Sequence, residues 1–422
     1  MNHPMSTNEE PADAIVIVGG GHAGVMLCAA LAAEGQGARV HLVCEEAVLP
    51  YQRPPLSKAY LKTLDEALQP HRAEDWYASA GITLHQADPA VAIDRARRVL
   101  RLQSGRELPY ARLVLATGAR ARRLPQLAET LDNVVALRSS ADAARLRERL
   151  AAAASVTVLG GGFIGLEVAA TARGLDKSVT VFEAAPRLLT RSVSPELAEH
   201  VLLTHRAAGI DLRLGVTVGG FEVEGERLAA LTADGVREPV DLLVLGIGAA
   251  PECRLAAEAG LAVDNGIVVD ACLRTDDTAI LAIGDCASFA DTHSGARLRL
   301  ESVQNAHDQA RTAAATLLGR EQPHTALPWF WSEQGSLRLQ MAGLMPAGAE
   351  RHRRLGAQPG SFSILHYVDR QLRSVESVNA PMDHMMARRL LEAGASPAPE
   401  VACDPAVAWK TLVAELAAPA QR

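Results

Sequence analysis

Gly19, Gly21 and Gly24 stand in "VGGGHAG" at the spacing G-x-G-x-x-G, and Gly160, Gly162 and Gly165 repeat it in "LGGGFIG". Glycines so spaced after an apolar run permit a tight turn and bring backbone N–H groups close to a pyrophosphate at a helix N-terminus. A carboxylate ends the next apolar run each time: Glu45 lies 26 residues after Gly19, and Glu183 lies 23 after Gly160. Such a carboxylate accepts hydrogen bonds from ribose hydroxyls. At Glu183 it suits a free 2′-hydroxyl and repels a 2′-phosphate, which favours NADH over NADPH. Arg187 and Arg191 stand near enough to accommodate a phosphate, so that preference stays open. Two dinucleotide sites in one chain suggest two redox cofactors exchanging electrons. FAD with a nicotinamide has the chemical logic, because flavin takes hydride and can then release electrons singly.

Charged residues mark a second candidate site. "PYQRPPLSK" (50–58) sets two prolines between Arg53 and Lys58, and a double proline continues neither a helix nor a central strand. The loop is therefore stiff, and its cations either face solvent or stand beside a bound cofactor. Glu167, in "GFIGLE", falls on the first turn of the helix after the second glycine set. In a buried cleft a lone lysine or glutamate is costly, so each would need the other. No metal site is indicated: none of the six cysteines forms a C-x-x-C pair, and none lies between Cys44 and Cys253. Scattered buried thiols fit a reducing compartment.

The elements that must hold these residues read as a duplication. "AIVIVGGGHAG" (14–24) and "SVTVLGGGFIG" (155–165) each run strand, turn, alanine-rich helix, then a second apolar run, at 39–46 and 178–185. That alternation implies parallel sheets covered by helices. "SGRELPYARLVLATGAR" (104–120) and "DGVREPVDLLVLGIGAA" (234–250) form a second matched pair, each a turn followed by a strand ending at glycine. Residues 279–289 give another strand ending at Gly284-Asp285, and 301–317 read as helix. Beyond about residue 326 the composition changes, "SLRLQMAGL" and "SFSILHYV" alternate like strands, and a smaller α+β domain is expected.

Composition sets the outer bounds. The 422 residues, 48% hydrophobic and 22% charged, suit a multidomain globular protein. A net charge of −7 argues against a general nucleic-acid binder. No apolar run is long enough to span a membrane, and "MNHPMSTNEEPADA" lacks the basic start and apolar core of a secretory signal. A cytoplasmic location is expected.

The ordered set "VGGGHAG … PYQRPPLSK … LVLATGAR … LGGGFIGLE … IGDCASF … ESVQNAHDQA … PWFWSEQ" resembles the FAD-dependent NADH:ferredoxin reductases of bacterial oxygenase systems, from about residue 14 to about 415. The resemblance implies an α/β fold with two Rossmann-like dinucleotide-binding domains, glutathione-reductase-like, plus a C-terminal α+β domain. After a disordered lead (1–13), a discontinuous FAD domain would take 14–125 and 250–325. An NAD domain would occupy 126–249 and the C-terminal domain 326–422. By the same resemblance Ala23 and Ala116 would lie against FAD, Glu45 would bind its ribose and Val91 would offer backbone to the adenine end. Arg138 would touch FAD, Asp285 would hydrogen-bond the ribityl chain, and Val303 would offer backbone to the flavin ring. Arg53 would line the flavin pocket. Ile164, Arg191 and Gly248 join the second glycines and Glu183 on the NAD side.

Lys58 and Glu167 would stand near flavin N5 and the nicotinamide, with Lys58 stabilising charge on reduced flavin. Trp329 and Trp331 would sit at the flavin edge where electrons leave, or else anchor the C-terminal domain. His22 and Cys44 occupy positions where relatives often carry other small or apolar residues. The implied partner is a [2Fe–2S] ferredoxin or a rubredoxin serving a P450 or Rieske-type oxygenase, and the reductase is expected to be a monomer or weak homodimer. A flavin-dependent oxidase or a disulphide or peroxide reductase is the main alternative. It needs a flavin-facing cysteine in the loop that here reads "PYQRPPLSK". A non-catalytic sensor resembling apoptosis-inducing factor is a third.

Overall fold

The structure, a computed structural model, describes residues 13–291 and 295–416. The expected disordered lead lies outside that range apart from Asp13. The fold is α/β, and the chain divides into two compact units. One runs to Arg53 and adds Leu68–Arg120 and Ala250–Ala326; the other takes Pro54–Ala67, Ala121–Ala249 and the chain from Leu327.

The first unit is built on a five-stranded parallel sheet in the order Ile280–Ala282, Arg112–Leu115, Ile15–Val18, Val40–Val43, Thr83–His85. Its central strand is buried at all four positions, as a sheet covered on both faces requires. The helix His22–Ala33 buries Val25, Leu27, Cys28 and Leu31 in the core shared with that sheet. A three-stranded antiparallel sheet, Ala90–Asp94, Val99–Leu102 and Glu107–Pro109, completes the repeat.

The second unit repeats the plan. Its parallel sheet runs Asp211–Leu214, Ser178–Glu183, Ser155–Leu159, Leu242–Leu245, Val134–Ala136, again with the strand before the glycines at the centre. Matched backbone bonds make the duplication explicit: Gly19 N–H donates to Val43 O at 2.8 Å, and Gly160 N–H to Phe182 O at 2.8 Å. The two copies differ in their outermost strand, which arrives from far downstream in the first unit and from just upstream in the second.

The C-terminal part of this unit is a five-stranded antiparallel sheet ordered Trp329–Gln334, Leu337–Ala342, Gln371–Val378, Phe362–Val368, Glu350–Leu355. The alternation expected in "SFSILHYV" is not reflected in burial, since Phe362 through Tyr367 are all buried. Leu365 and Tyr367 pack against Met386, Ala387 and Leu390 of the helix Pro381–Glu392. On another residue of the same strand, Phe362, the ring meets His200 of the helix Pro195–Ala207 at 4.9 Å. Among the described residues no helix is long and apolar enough to cross a membrane.

Candidate active site: two nucleotide cradles and a buried ion pair

Each glycine of the two motifs has a separate structural job. Gly19 and Gly160 adopt φ of +116° and +104°, and a Cβ there would lie 2.2 Å from Ala116 O and 2.4 Å from Gly246 O. A side chain at Gly24 or Gly165 would collide with the carbonyl of Gly19 or Gly160, at 2.0 and 2.3 Å. These four glycines are required by the protein's own backbone. Gly21 differs, because a Cβ there meets nothing within 4 Å, and at Gly162 the nearest atom is Gly246 O at 3.9 Å. Both are the N-cap residues of their helices, His22–Ala33 and Phe163–Gly174, and neither helix start has a side-chain cap. Each motif thus leaves open space in front of uncapped N–H groups, which fits a pyrophosphate.

The carboxylates close these cradles differently. Glu183 accepts from Gly161 N–H at 2.5 Å and Ala185 N–H at 2.7 Å, so it is fixed against the second glycine turn. Arg187 donates to the carbonyls of Val193 and Thr190 at 2.9 and 2.7 Å, which commits it to its own loop. Arg191 is exposed, with Nη2 3.8 Å from where a Cβ on Gly248 would stand. In the first unit Glu45 is 60% exposed and pairs with Arg120 at 3.3 Å. Arg120 also pairs with Glu252, which raises its pKa above the ordinary arginine value.

The stiff loop is a 3₁₀ turn, Pro54–Ser57, whose fixed proline φ angles suit its start. Lys58 follows it and reaches Glu167 Oε2 at 2.6 Å. Ser57 Oγ donates to the same oxygen at 2.5 Å, and Ser332 Oγ donates to Oε1 at 2.7 Å. Thr171, one turn beyond Glu167 on the helix Phe163–Gly174, donates to Ser57 O at 2.9 Å and clamps the loop in place. Glu167 is the fifth residue of that helix, at the start of its second turn rather than in its first. It is 4% exposed while Lys58 is 20% exposed, so the pair is buried at the carboxylate end and reaches solvent at the ammonium end.

Residues 13–310 match the family model for pyridine nucleotide-disulphide oxidoreductases, and 329–413 match the reductase C-terminal model. The chain belongs to this oxidoreductase family. It is 43% identical to rhodocoxin reductase from Rhodococcus erythropolis over 92% of both chains. It also superposes, at a TM-score of 0.90 and 42% identity, on the ferredoxin reductase for the CYP199A2 system from Rhodopseudomonas palustris, covering 94% of this chain and 99% of that one. The reductase in a covalent putidaredoxin reductase–putidaredoxin complex gives a TM-score of 0.91 at 39% identity, covering 96% of this chain and 99% of that one. The family's cofactors are FAD and NAD(H).

The remaining candidate residues of this oxidoreductase fall in both units. In the first, Ala23 faces Gly284, whose Cβ would lie 3.0 Å from that of Ala23, so the first glycine helix abuts the turn that carries Asp285. Val91 sits at a β-bulge between Ala90 and Ala92, which takes it out of the strand pairing. Val303 heads the helix Val303–Leu317, capped by Ser302, and so presents one of its free N–H groups. Arg53 pairs with Glu46 at 3.2 Å. In the second unit, Arg138 N–H donates to Asp142 at 3.1 Å, and Ile164 is 47% exposed at the second glycine turn. Trp329 lies 5.0 Å beneath the Arg388 guanidinium and 6.1 Å from Trp331.

Two residues were not legible from the sequence. Gln309, wholly buried, accepts from Gly284 N–H at 2.7 Å and holds the Asp285 turn, while its Nε2 has no partner among the described residues. Ser332 is the other. Both lie inside stretches that carry the resemblance, "ESVQNAHDQA" and "PWFWSEQ", yet nothing there singles them out, because each is defined by a tertiary partner.

Proposed function

We propose that the chain is an NADH-dependent flavoprotein reductase that passes electrons through FAD to a [2Fe–2S] ferredoxin serving a P450 or Rieske-type oxygenase, in the cytoplasm. Bound flavin would supply the conversion of hydride into single electrons, which no side chain provides. The open glycines at 21 and 162 would receive the two pyrophosphates, and Glu45 and Glu183 the riboses. Lys58 would present its charge toward the flavin while Glu167 holds that charge in place.

The observation that carries this reading is the state of the thiols. All six cysteines are free, and each has its pKa pushed upward, with burial the largest cause. Cys44, whose sulphur lies 2.7 Å from where a Cβ on Gly20 would be, is 4% exposed and pushed up to about 12. A thiol in that state is a poor nucleophile, so reduction through sulphur is disfavoured and one-electron delivery fits better.

The test is anaerobic stopped-flow reduction with NADH and NADPH, followed by turnover against a panel of [2Fe–2S] ferredoxins and rubredoxins with ferricyanide as control. We expect NADH to bleach the flavin far faster than NADPH and at least one ferredoxin to be reduced. Ready reduction of a disulphide or peroxide with no ferredoxin reduced would overturn the proposal.

A further inference from the structure

We infer that Ser332 is a positioning residue for the Lys58–Glu167 pair, through which the C-terminal sheet sets where the lysine charge sits. The inference rests on the proposed role of Lys58 toward the flavin. Glu167 divides its two oxygens between different parts of the chain. Oε2 takes Ser57 and Lys58 from the proline turn, and Oε1 takes Ser332 from the strand Trp329–Gln334. Ser332 is fully buried, so water cannot replace it on that oxygen.

The geometry also fixes the direction of a longer chain of bonds. An ionised carboxylate only accepts, so the single Ser332 proton must point at Glu167. The Ser332 oxygen then accepts from Gln334 Nε2 at 3.1 Å. That orients the Gln334 amide so that Oε1 faces His205 Nε2 at 2.8 Å, and His205 must donate from that nitrogen. Gln334 and His205 are 1% and 2% exposed, and burial lowers the His205 pKa, consistent with a neutral ring bearing one N–H. His205, Gln334 and Ser332 thus form a line of donors that ends on Glu167 Oε1, and Lys58, just after the proline turn, donates to Oε2 of the same carboxylate from the other side. Losing the Ser332 hydroxyl leaves Oε1 without its donor. The carboxylate is then free to rotate about its remaining donors on Oε2, and the ammonium, which also donates to Pro54 O at 3.2 Å and Ser57 Oγ at 3.3 Å, shifts toward those two acceptors.

The test compares Ser332→Ala and Ser332→Thr in the FAD-loaded protein. The first readout is the acylation rate of Lys58 by a water-soluble N-hydroxysuccinimide ester, scored by peptide mass spectrometry against Lys62 and Lys177. The second is the flavin midpoint potential. For Ser332→Ala we expect at least a threefold change in relative Lys58 labelling and a shifted potential, with both restored by threonine. Should alanine fail to fold, Ser332→Cys, similar in size but a weak donor, carries the same expectation. Wild-type labelling of Lys58 in a folded alanine or cysteine variant would overturn the inference. Altered labelling with an unchanged potential, together with an unchanged potential in Lys58→Gln, would uphold the positioning and refute only the flavin role of Lys58.

Discussion

Neutralising either member of the Lys58–Glu167 pair should destabilise the second unit unequally, and the inequality follows from exposure. At 2.6 Å and an effective dielectric constant of about 20, the two charges attract by roughly 6 kcal/mol before desolvation is subtracted. Removing one partner of a buried pair typically costs about 3–5 kcal/mol, mainly because the other charge is stranded. Lys58→Met strands Glu167, which is 4% exposed and keeps only two serine donors, so the full cost is expected. Glu167→Gln strands Lys58, which is 20% exposed and can turn toward water, so the cost should fall to about 1–3 kcal/mol. The double variant should cost less than the sum of the singles by about 1–3 kcal/mol. Trp329, Trp331 and Trp409 lie in the unit that holds the pair, so urea unfolding followed by tryptophan fluorescence is weighted toward that unit. Equal and additive single-variant costs would refute the reasoning.

Gly21→Ala should leave the urea midpoint nearly unchanged yet weaken FAD binding at least tenfold, since its new methyl enters only the open cradle. Gly19→Ala, at φ +116° and 2.2 Å from a carbonyl oxygen, should cost more than about 4 kcal/mol; similar behaviour of the two variants would remove the distinction. Glu183→Ala should lower the NADH-over-NADPH ratio of kcat/KM at least tenfold, and steady-state kinetics showing an unchanged ratio would assign specificity elsewhere. His384 is 3% exposed with neither ring nitrogen hydrogen-bonded among the described residues, and burial, with Arg388 and Arg338, lowers its pKa to about 4. The unfolded chain takes up that proton first. The His384 contribution to stability should therefore be fully present above about pH 6.5 and be lost at about 1.4 kcal/mol per pH unit as the pH falls to about 4. Urea midpoints across that range should decline less steeply in His384→Phe.

What the sequence made legible was local. Within each copy the glycine motif, the strand that precedes it and the carboxylate, at 45 or at 183, lie within about 30 residues of one another, and the parallel sheets follow from that repeat. The outermost strand of each sheet was harder to place, because Ile280–Ala282 joins a partner more than 150 residues upstream. Continuous burial in Phe362–Tyr367 was hidden for the same reason: the pattern of one strand does not reveal that two helices will flank it. At the site, Lys58 and Glu167 are charged and so attract attention. Ser332 and Gln309 are neutral, and only the tertiary structure shows what each one holds.

Free thiols and a clamped lysine divide the work in this chain of the disulphide-oxidoreductase family. Cys44 comes within reach of the first glycine turn, but burial pushes its thiol up to about 12, so it is protonated at neutral pH. That sulphur therefore serves packing. The charge near the second glycine helix comes from Lys58, and three donors hold the Glu167 carboxylate that anchors it. A fixed ammonium neither forms nor breaks a bond in electron transfer, so it can favour extra electron density without becoming an intermediate. A cysteine at the same place would supply a second redox couple and a covalent route for the electrons. A clamped cation in place of a thiol is therefore compatible with the proposed delivery of single electrons to a protein acceptor.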